Sequence, residues 1–429
     1  MGTTKHDQGR SFSPNTLNTE PMKTIKDSVH DHIEIAGVAQ ALLDTAPVQR
    51  LRHVRQLGTV DLVYPSANHT RFEHSLGVYH LADRALSQLG IEGVQAERVR
   101  AAAILHDVGH GPYSHNLEDL IHRNTGDYHD DVDELLSSGE VAGVLETHDL
   151  DPARIAGLVA GEGRLGQLVS GELDVDRMDY LVRDALHTGV PYGTIDHGRL
   201  VRELRFLDGE LVLAEGNVQT AEALLLARSL MNPVVYNHPV ARIGKAMLRR
   251  ATERLLDGDL SGTELRRMDD HDLLVTLRND ERTARDAERL GRRDLYKRAI
   301  WAELRDTPDE LVDADHQAIR EYEREIADRA SVAAESVILD VPARPRMTES
   351  SSRVIVSGEI RPLGRQSTLV EALKTTQRDQ WRFGVYAPAD AAERVGTAAV
   401  SVLGLDIDGA LVSDVRPGVN ATLDEFQEE

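Results

Sequence analysis

A mainly helical fold is what this 429-residue sequence predicts, with small β-hairpins and a smaller α+β region toward its C-terminal end. Three observations lead there. Long stretches up to about residue 330 carry apolar side chains at the three-to-four-residue spacing of a helix that faces a core. Two-residue alternation, the mark of a strand, is confined to short segments next to turn residues. Beyond about residue 335 the composition shifts, and short strand-like runs separated by loops replace the helical spacing.

The elements are expected in the following order. Residues 1–20 are rich in Ser, Thr, Asn and Gly and are expected to form a disordered tail. Residues 25–35 (IKDSVHDHIEI) alternate near their end and predict a hairpin. Residues 39–57 have helical spacing, interrupted by Pro47, which lacks the N–H that a helix ladder needs. Helices are predicted over 72–89 and over the strongly apolar 96–107 (AERVRAAAILHD), with 109–112 ending the second. Further helices follow to about residue 330, most clearly over 172–187 and 218–232. Residues 206–213 (FLDGELVL) predict a second hairpin that turns at Asp208-Gly209. Strands are then expected at 336–341, 353–356 and 384–387, loops at 342–345 and 349–352, and a helix at 368–377. The acidic tail after Asp406 is expected to be loosely ordered. The domain reading is a tail at 1–20, a main domain at 21–335 and a small α+β region with its acidic tail at 336–429.

Composition narrows the function classes. Cysteine is absent, which excludes disulfides, thiol nucleophiles and Cys-held clusters. Any metal must be held by His, Asp or Glu. No apolar run approaches the ~20 residues that span a bilayer. The opening MGTTKHDQGR has no apolar stretch behind it, so no signal peptide is read and a cytoplasmic location is expected. A formal charge of −23 repels nucleic acid and anionic lipid, which disfavours a nonspecific nuclease. Of the 49 basic residues, six are Lys. GC-rich coding favours Arg, and a salt-adapted cytosol favours an acidic, Lys-poor surface; we favour the second, halophilic reading. In molar salt the Debye length is ~3 Å, so short-range contacts would decide the binding of an anionic substrate.

The 18 histidines cluster. His69 and His74 lie in NHTRFEHSLGV, and His106, His110 and His115 lie in LHDVGHGPYSH; His122 and His129 follow. Asp176 lies in DVDRMDY. His106-Asp107 ends an apolar helix, where an adjacent imidazole and carboxylate can reach one metal ion. A single His-Asp pair is weak evidence, because a helix C-terminus also collects His beside its negative dipole end. Five features in order (RFEHS, HDVGHG, PYSH, YHD and DVDRMDY) point instead to a metal centre. Two rows at i, i+4 and i+8 accompany it: Asp176, Tyr180 and Asp184, and Arg228, Asn232 and Tyr236.

With the stretches RLRHVRQLG, HTRFEHSLGVYHLA, ILHDVGHGPYSH and DVDRMDYLVRDA, the sequence resembles the HD-domain phosphohydrolases. Within them it is similar to the deoxynucleoside triphosphate (dNTP) triphosphohydrolases related to the SAM-and-HD-domain dNTPase. The likeness runs from near Ile25 to about Asn237 and continues more weakly to about Tyr386; no SAM domain is read ahead of it. It implies a helical HD-domain core and metal-dependent hydrolysis of dNTPs to deoxynucleoside and triphosphate.

The resemblance also implies roles. One divalent ion (Mn, Fe, Mg, Co, Ni or Zn) would be held by His74, His106, Asp107 and Asp176, and a second Mg could arrive with the nucleotide. His110, His115 and His129 match family histidines around the α-phosphate, with His115 or His129 as proton donor to the 5′ oxygen. Arg71, Arg177 and Arg228 match phosphate contacts, although the family usually has Lys at the Arg177 position. Gln56, Leu57, Tyr180, Asp184 and Tyr236 match residues near the sugar and base. Asn232 and Pro239 depart from the family pattern. Relatives form dimers or tetramers, some activated by a nucleotide at the subunit interface, so a homo-oligomer is expected. The competing readings are another HD phosphohydrolase, acting on a monophosphate, cyclic nucleotide or alarmone, and a nucleotide-binding regulator.

Overall fold

The computed structural model describes residues 22–345 and 352–405. The expected N-terminal tail, the acidic tail from Asp406 and most of the loop at 349–352 lie outside the described residues. No helix among the described residues is long and apolar enough to cross a membrane.

The chain opens with an antiparallel hairpin, β1 (Lys23–Asp27) and β2 (Asp31–Ile35), in the register Lys23↔Ile35. Its apolar face delivers Ile33 and Ile35 to the core, both fully buried. Pro47 sits in the first turn of the Ala46–Arg50 helix, where its missing N–H costs nothing, so the interruption falls just ahead of it. The centre of the molecule is made of the Arg71–Leu89, Val94–Leu105 and Val175–Thr188 helices. The first starts with a capping box in which the Thr70 N–H donates to Glu73 at 2.6 Å. It closes on the third at Gly77, where any Cβ would collide with the Asp179 carboxylate.

The second hairpin, β3 (Leu204–Leu207) and β4 (Glu210–Leu213), turns at Asp208 and Gly209, both at positive φ (53° and 85°). Those angles fit the right-handed twist of the flanking strands, as an Asp-Gly turn allows.

Three elements depart from the sequence reading. β5 (Lys297–Glu303) falls in a stretch expected to be helical. It is one strand of a three-stranded antiparallel sheet, in the order β5-β9-β6, with β6 (Ile338–Asp340) and β9 (Arg382–Ala387). Its four central residues, Ala299 to Ala302, are all buried, so it shows no alternation. β8 (Glu359–Pro362) and the Ala392–Leu403 helix were not anticipated.

β7 (Arg353–Val356) leaves that unit and pairs with β4 in parallel, placing Val354 in the main core. A second core, including Ile300, Ile326, Phe383 and Val395, spans the boundary expected at residue 335. Arg242, from the Pro239–Leu256 helix, ties the two cores by donating to Asp340 Oδ2 (2.8 Å) and to the Arg382 carbonyl (2.8 Å).

Candidate active site

The helix Val94–Leu105 ends just before His106 and Asp107, which therefore project from its last turn. The chain next makes a tight passage at Gly109, where a Cβ would strike the carbonyl oxygen of His129. Only glycine lets the 129 segment cross so close. Tyr113 and Ser114 follow in left-handed conformation, at φ 56° and 54°. The strain has a use. Ser114 Oγ accepts from Arg71 Nε at 2.9 Å, and Asp270 anchors the turn by accepting from the Tyr113 N–H at 2.6 Å.

Four expected ligands converge. His74 Nε2 lies 2.8 Å from Asp176 Oδ1, 3.3 Å from His106 Nε2 and 3.8 Å from Asp107 Oδ2. His106 Nε2 lies 3.5 Å from Asp107 Oδ1 and 3.9 Å from Asp176 Oδ1. The other nitrogen of each ring is spoken for. His74 Nδ1 meets Asp179 Oδ2 at 2.8 Å, and His106 Nδ1 meets the Ala103 carbonyl at 2.9 Å. With Nδ1–H as donor in both rings, each Nε2 lone pair faces the centre, which is how a carboxylate or carbonyl behind a histidine prepares it for a metal. The electrostatics agree. Burial opposes charge on His74, yet Asp176, Asp179 and Asp107 raise its pKa to about 10. Carboxylates that pull a proton onto a buried imidazole will equally draw a cation among them. Two imidazoles and two carboxylates suit a divalent transition ion or Mg.

A buried relay supports this centre. The Arg183 side chain, wholly buried, donates to Asp179 Oδ2 (2.8 Å) and to Asp27 Oδ2 (2.8 Å) on β1. His30, in the hairpin turn, meets the other Asp179 oxygen at 2.7 Å. The N-terminal hairpin is thus bonded through Arg183 and Asp179 to His74, one of the expected metal ligands. Arg183→Met removes the guanidinium that two buried carboxylates share and should cost roughly 3–5 kcal/mol in urea unfolding. Asp179→Asn should weaken Mn binding about 10–100-fold in a calorimetric titration. Unchanged affinity would remove the relay from the account.

Twelve of the fifteen expected site residues line one cavity of about 430 Å³: Gln56, Leu57, Arg71, His106, Asp107, His115, His129, Asp176, Tyr180, Asp184, Arg228 and Tyr236. Asn232 lines it too. Here the helix from Val218 passes into a π-helical turn over Pro233, with the Asn237 N–H reaching back to the Asn232 carbonyl at 2.7 Å.

Three expected residues stand elsewhere. His74 is fully buried, against His106, Asp107 and Asp176. His110 is buried and stacked on His129, ring centroids 4.2 Å apart, with Nε2 3.2 Å from Asp107. Burial and Arg71 hold its pKa well below the usual value, so it packs as a neutral ring. Arg177 is not part of the cavity lining; it donates to the Glu172 carbonyl at 2.6 Å and bonds to the Tyr180 side chain. The Asp174 N-cap turn presents that carbonyl within reach of its guanidinium.

Residues that the sequence did not single out complete the site. Glu118 binds His115 at 2.7 Å and makes a short contact with His129. Burial disfavours the proton on His129, but Glu118 and Asp107 win and raise its pKa. Burial lowers that of His115. Glu118 follows His115 by three residues, a spacing that could have flagged it. His69 meets Asp184 Oδ1 at 2.8 Å, and Tyr236 donates to Asp184 Oδ2 at 2.9 Å. No local spacing announces the His69 contact, which joins residues 115 positions apart.

A helical core that gathers two histidines and two aspartates beside an arginine-lined cavity defines a metal-dependent phosphohydrolase. Residues 71–184 match the HD domain, and residues 195–414 match the HD associated region. An uncharacterized protein of Methanocaldococcus jannaschii is 33% identical over 383 residues, covering 86% of this chain and 80% of that protein. A phosphohydrolase structure from Bacteroides thetaiotaomicron superposes with a TM-score of 0.69 at 26% identity, over 86% of this chain and all of that one. A deoxynucleoside triphosphate triphosphohydrolase homologue of Dictyostelium discoideum is 29% identical over 279 residues. That match covers 58% of this chain and 53% of the relative, so the chain spans about half the length of that relative. The chain belongs to the HD-domain phosphohydrolase family.

Proposed function

We propose that the protein hydrolyses dNTPs to deoxynucleoside and intact triphosphate. One observation carries this reading: a single cavity combines metal ligands, two arginines, an imidazole–carboxylate acid and a polar wall suited to a sugar.

The divalent ion would be held by His74, His106, Asp107 and Asp176. When bound, it supplies polarisation of a phosphoryl oxygen and acidification of water. The rest is done by side chains. Arg71 and Arg228 offer guanidinium donors to phosphate oxygens. Arg71 is held by Ser114 and by both oxygens of Asp107 at 2.9–3.0 Å, so it meets phosphate in a fixed orientation. A water oxygen bonds to the α-phosphorus, the bond from that phosphorus to the 5′ oxygen breaks, and a proton must reach the 5′ oxygen. His129 is suited to give it, because Glu118 favours its protonated form whereas burial disfavours that of His110 and His115. Asp184 has its two oxygens fixed by His69 and Tyr236 and retains lone pairs for a sugar hydroxyl.

Product analysis tests the reading. Each dNTP and each NTP is incubated with Mn or Mg in high KCl, alone and in dNTP pairs that could supply an activator. Deoxynucleoside plus triphosphate from dNTPs is expected. Release of phosphate or pyrophosphate would favour a different HD phosphohydrolase. Tight nucleotide binding with negligible turnover would favour a regulator.

A further inference from the structure

We infer that a second cavity, sharing a wall with the first, reads the nucleobase, and that Lys245 selects bases carrying a keto oxygen. The inference rests on the dNTP reading above and adds a preference among bases to it.

The second cavity, of about 360 Å³, is also lined by Gln56, Leu57, His115 and Tyr236. A nucleotide whose phosphates lie against Arg71 and whose sugar lies against Asp184 and Tyr236 therefore has its base at this shared wall. Beyond the wall the Pro239–Leu256 helix presents three cations, which differ in what they have to bind. Arg242 is committed to Asp340 and to the Arg382 carbonyl. Arg249 lies 3.7 Å from Asp119. Lys245, half-buried, has no hydrogen-bond or ion-pair partner among the described residues. It is one of six lysines in a chain with 49 basic residues.

An ammonium removed from water without a partner is costly, and it has three donors and no acceptor. Burial and Arg249 accordingly lower its pKa. On the shared wall, Gln56 Oε1 is buried with no hydrogen-bond partner among the described residues. A ligand that satisfies both groups must bring an acceptor to Lys245 and a donor to Gln56. A phosphate brings only acceptors and two charges, into a cavity where Asp119 and Asp340 already offset two of the three cations. A neutral ring with mixed edges fits better. Guanine offers O6 beside N7 and thymine offers O4, whereas adenine keeps only N7 and, like cytosine, places an amino donor where the keto oxygen stands. Lys245 would favour the keto oxygen of the first pair over the amino group of the second.

The test compares kcat/KM for the four dNTPs in the wild-type chain, in Lys245→Met and in Lys245→Arg. We expect wild type to favour dGTP over dATP by about tenfold, chiefly through KM. Lys245→Met should bring that ratio close to one, and Lys245→Arg, which keeps a cationic donor, should retain it. Equal kcat/KM for all four dNTPs in wild type would overturn the inference and leave the dNTP reading intact. So would a preference that Lys245→Met does not change. Turnover of no dNTP would overturn both.

Discussion

Asp176→Asn is expected to lower dNTP turnover by at least about 10³-fold, since stabilisation by a catalytic metal is worth several kcal/mol and each 1.36 kcal/mol is tenfold. The substitution is chosen because it separates chemistry from folding. Asp176 is the most exposed of the four proposed ligands, with 35% of its side chain accessible. Asp107, by contrast, holds the buried Arg71, so its loss would mix both effects. Burial raises the Asp176 pKa, but His74 and His106 outweigh it and keep the carboxylate ionised. The amide has the same shape and can still accept from His74, yet it contributes no charge to the centre. Bound Mn, measured by elemental analysis after dialysis, should fall in parallel, while the urea unfolding midpoint stays near that of wild type. Full turnover in this variant would remove Asp176 from the ligand set.

The second large effect concerns the proton. His129→Ala should reduce kcat by about 10²-fold or more, the usual worth of a positioned general acid. Glu118→Gln gives the sharper diagnosis. Burial alone would push the His129 pKa down; the Glu118 carboxylate is the largest of the influences that raise it, ahead of Asp107. A general acid must be protonated, so activity is lost as pH rises through its pKa. Removing the carboxylate lowers that pKa, and the alkaline limb of the kcat profile should move to lower pH. A limb that stays in place would assign the proton to another group.

Much of the site is legible in the sequence because it is carried by short local patterns. His106-Asp107 sits where an apolar helix stops, and Asp176, Tyr180 and Asp184 face one way on a single helix. The two hairpins are likewise announced by alternation and by Asp208-Gly209. What was not legible depends on contacts between distant segments. Asp179 gains its meaning from Arg183, His30 and His74, and the last two come from other elements. Arg177 matches a family phosphate contact by position, yet it stands outside the cavity lining, bonded to the Glu172 carbonyl at the helix start and to Tyr180. β5 reads as helix because the sheet buries it on both faces and removes the alternation that would mark it as a strand.

The measurement that bears most directly on the central claim is hydrolysis of dGTP in heavy-oxygen water, with both products weighed by mass spectrometry. Water attack at the α-phosphorus predicts one heavy oxygen in an intact triphosphate and none in the deoxyguanosine. Heavy oxygen in the deoxyguanosine, or its appearance in free phosphate or pyrophosphate, would contradict the account.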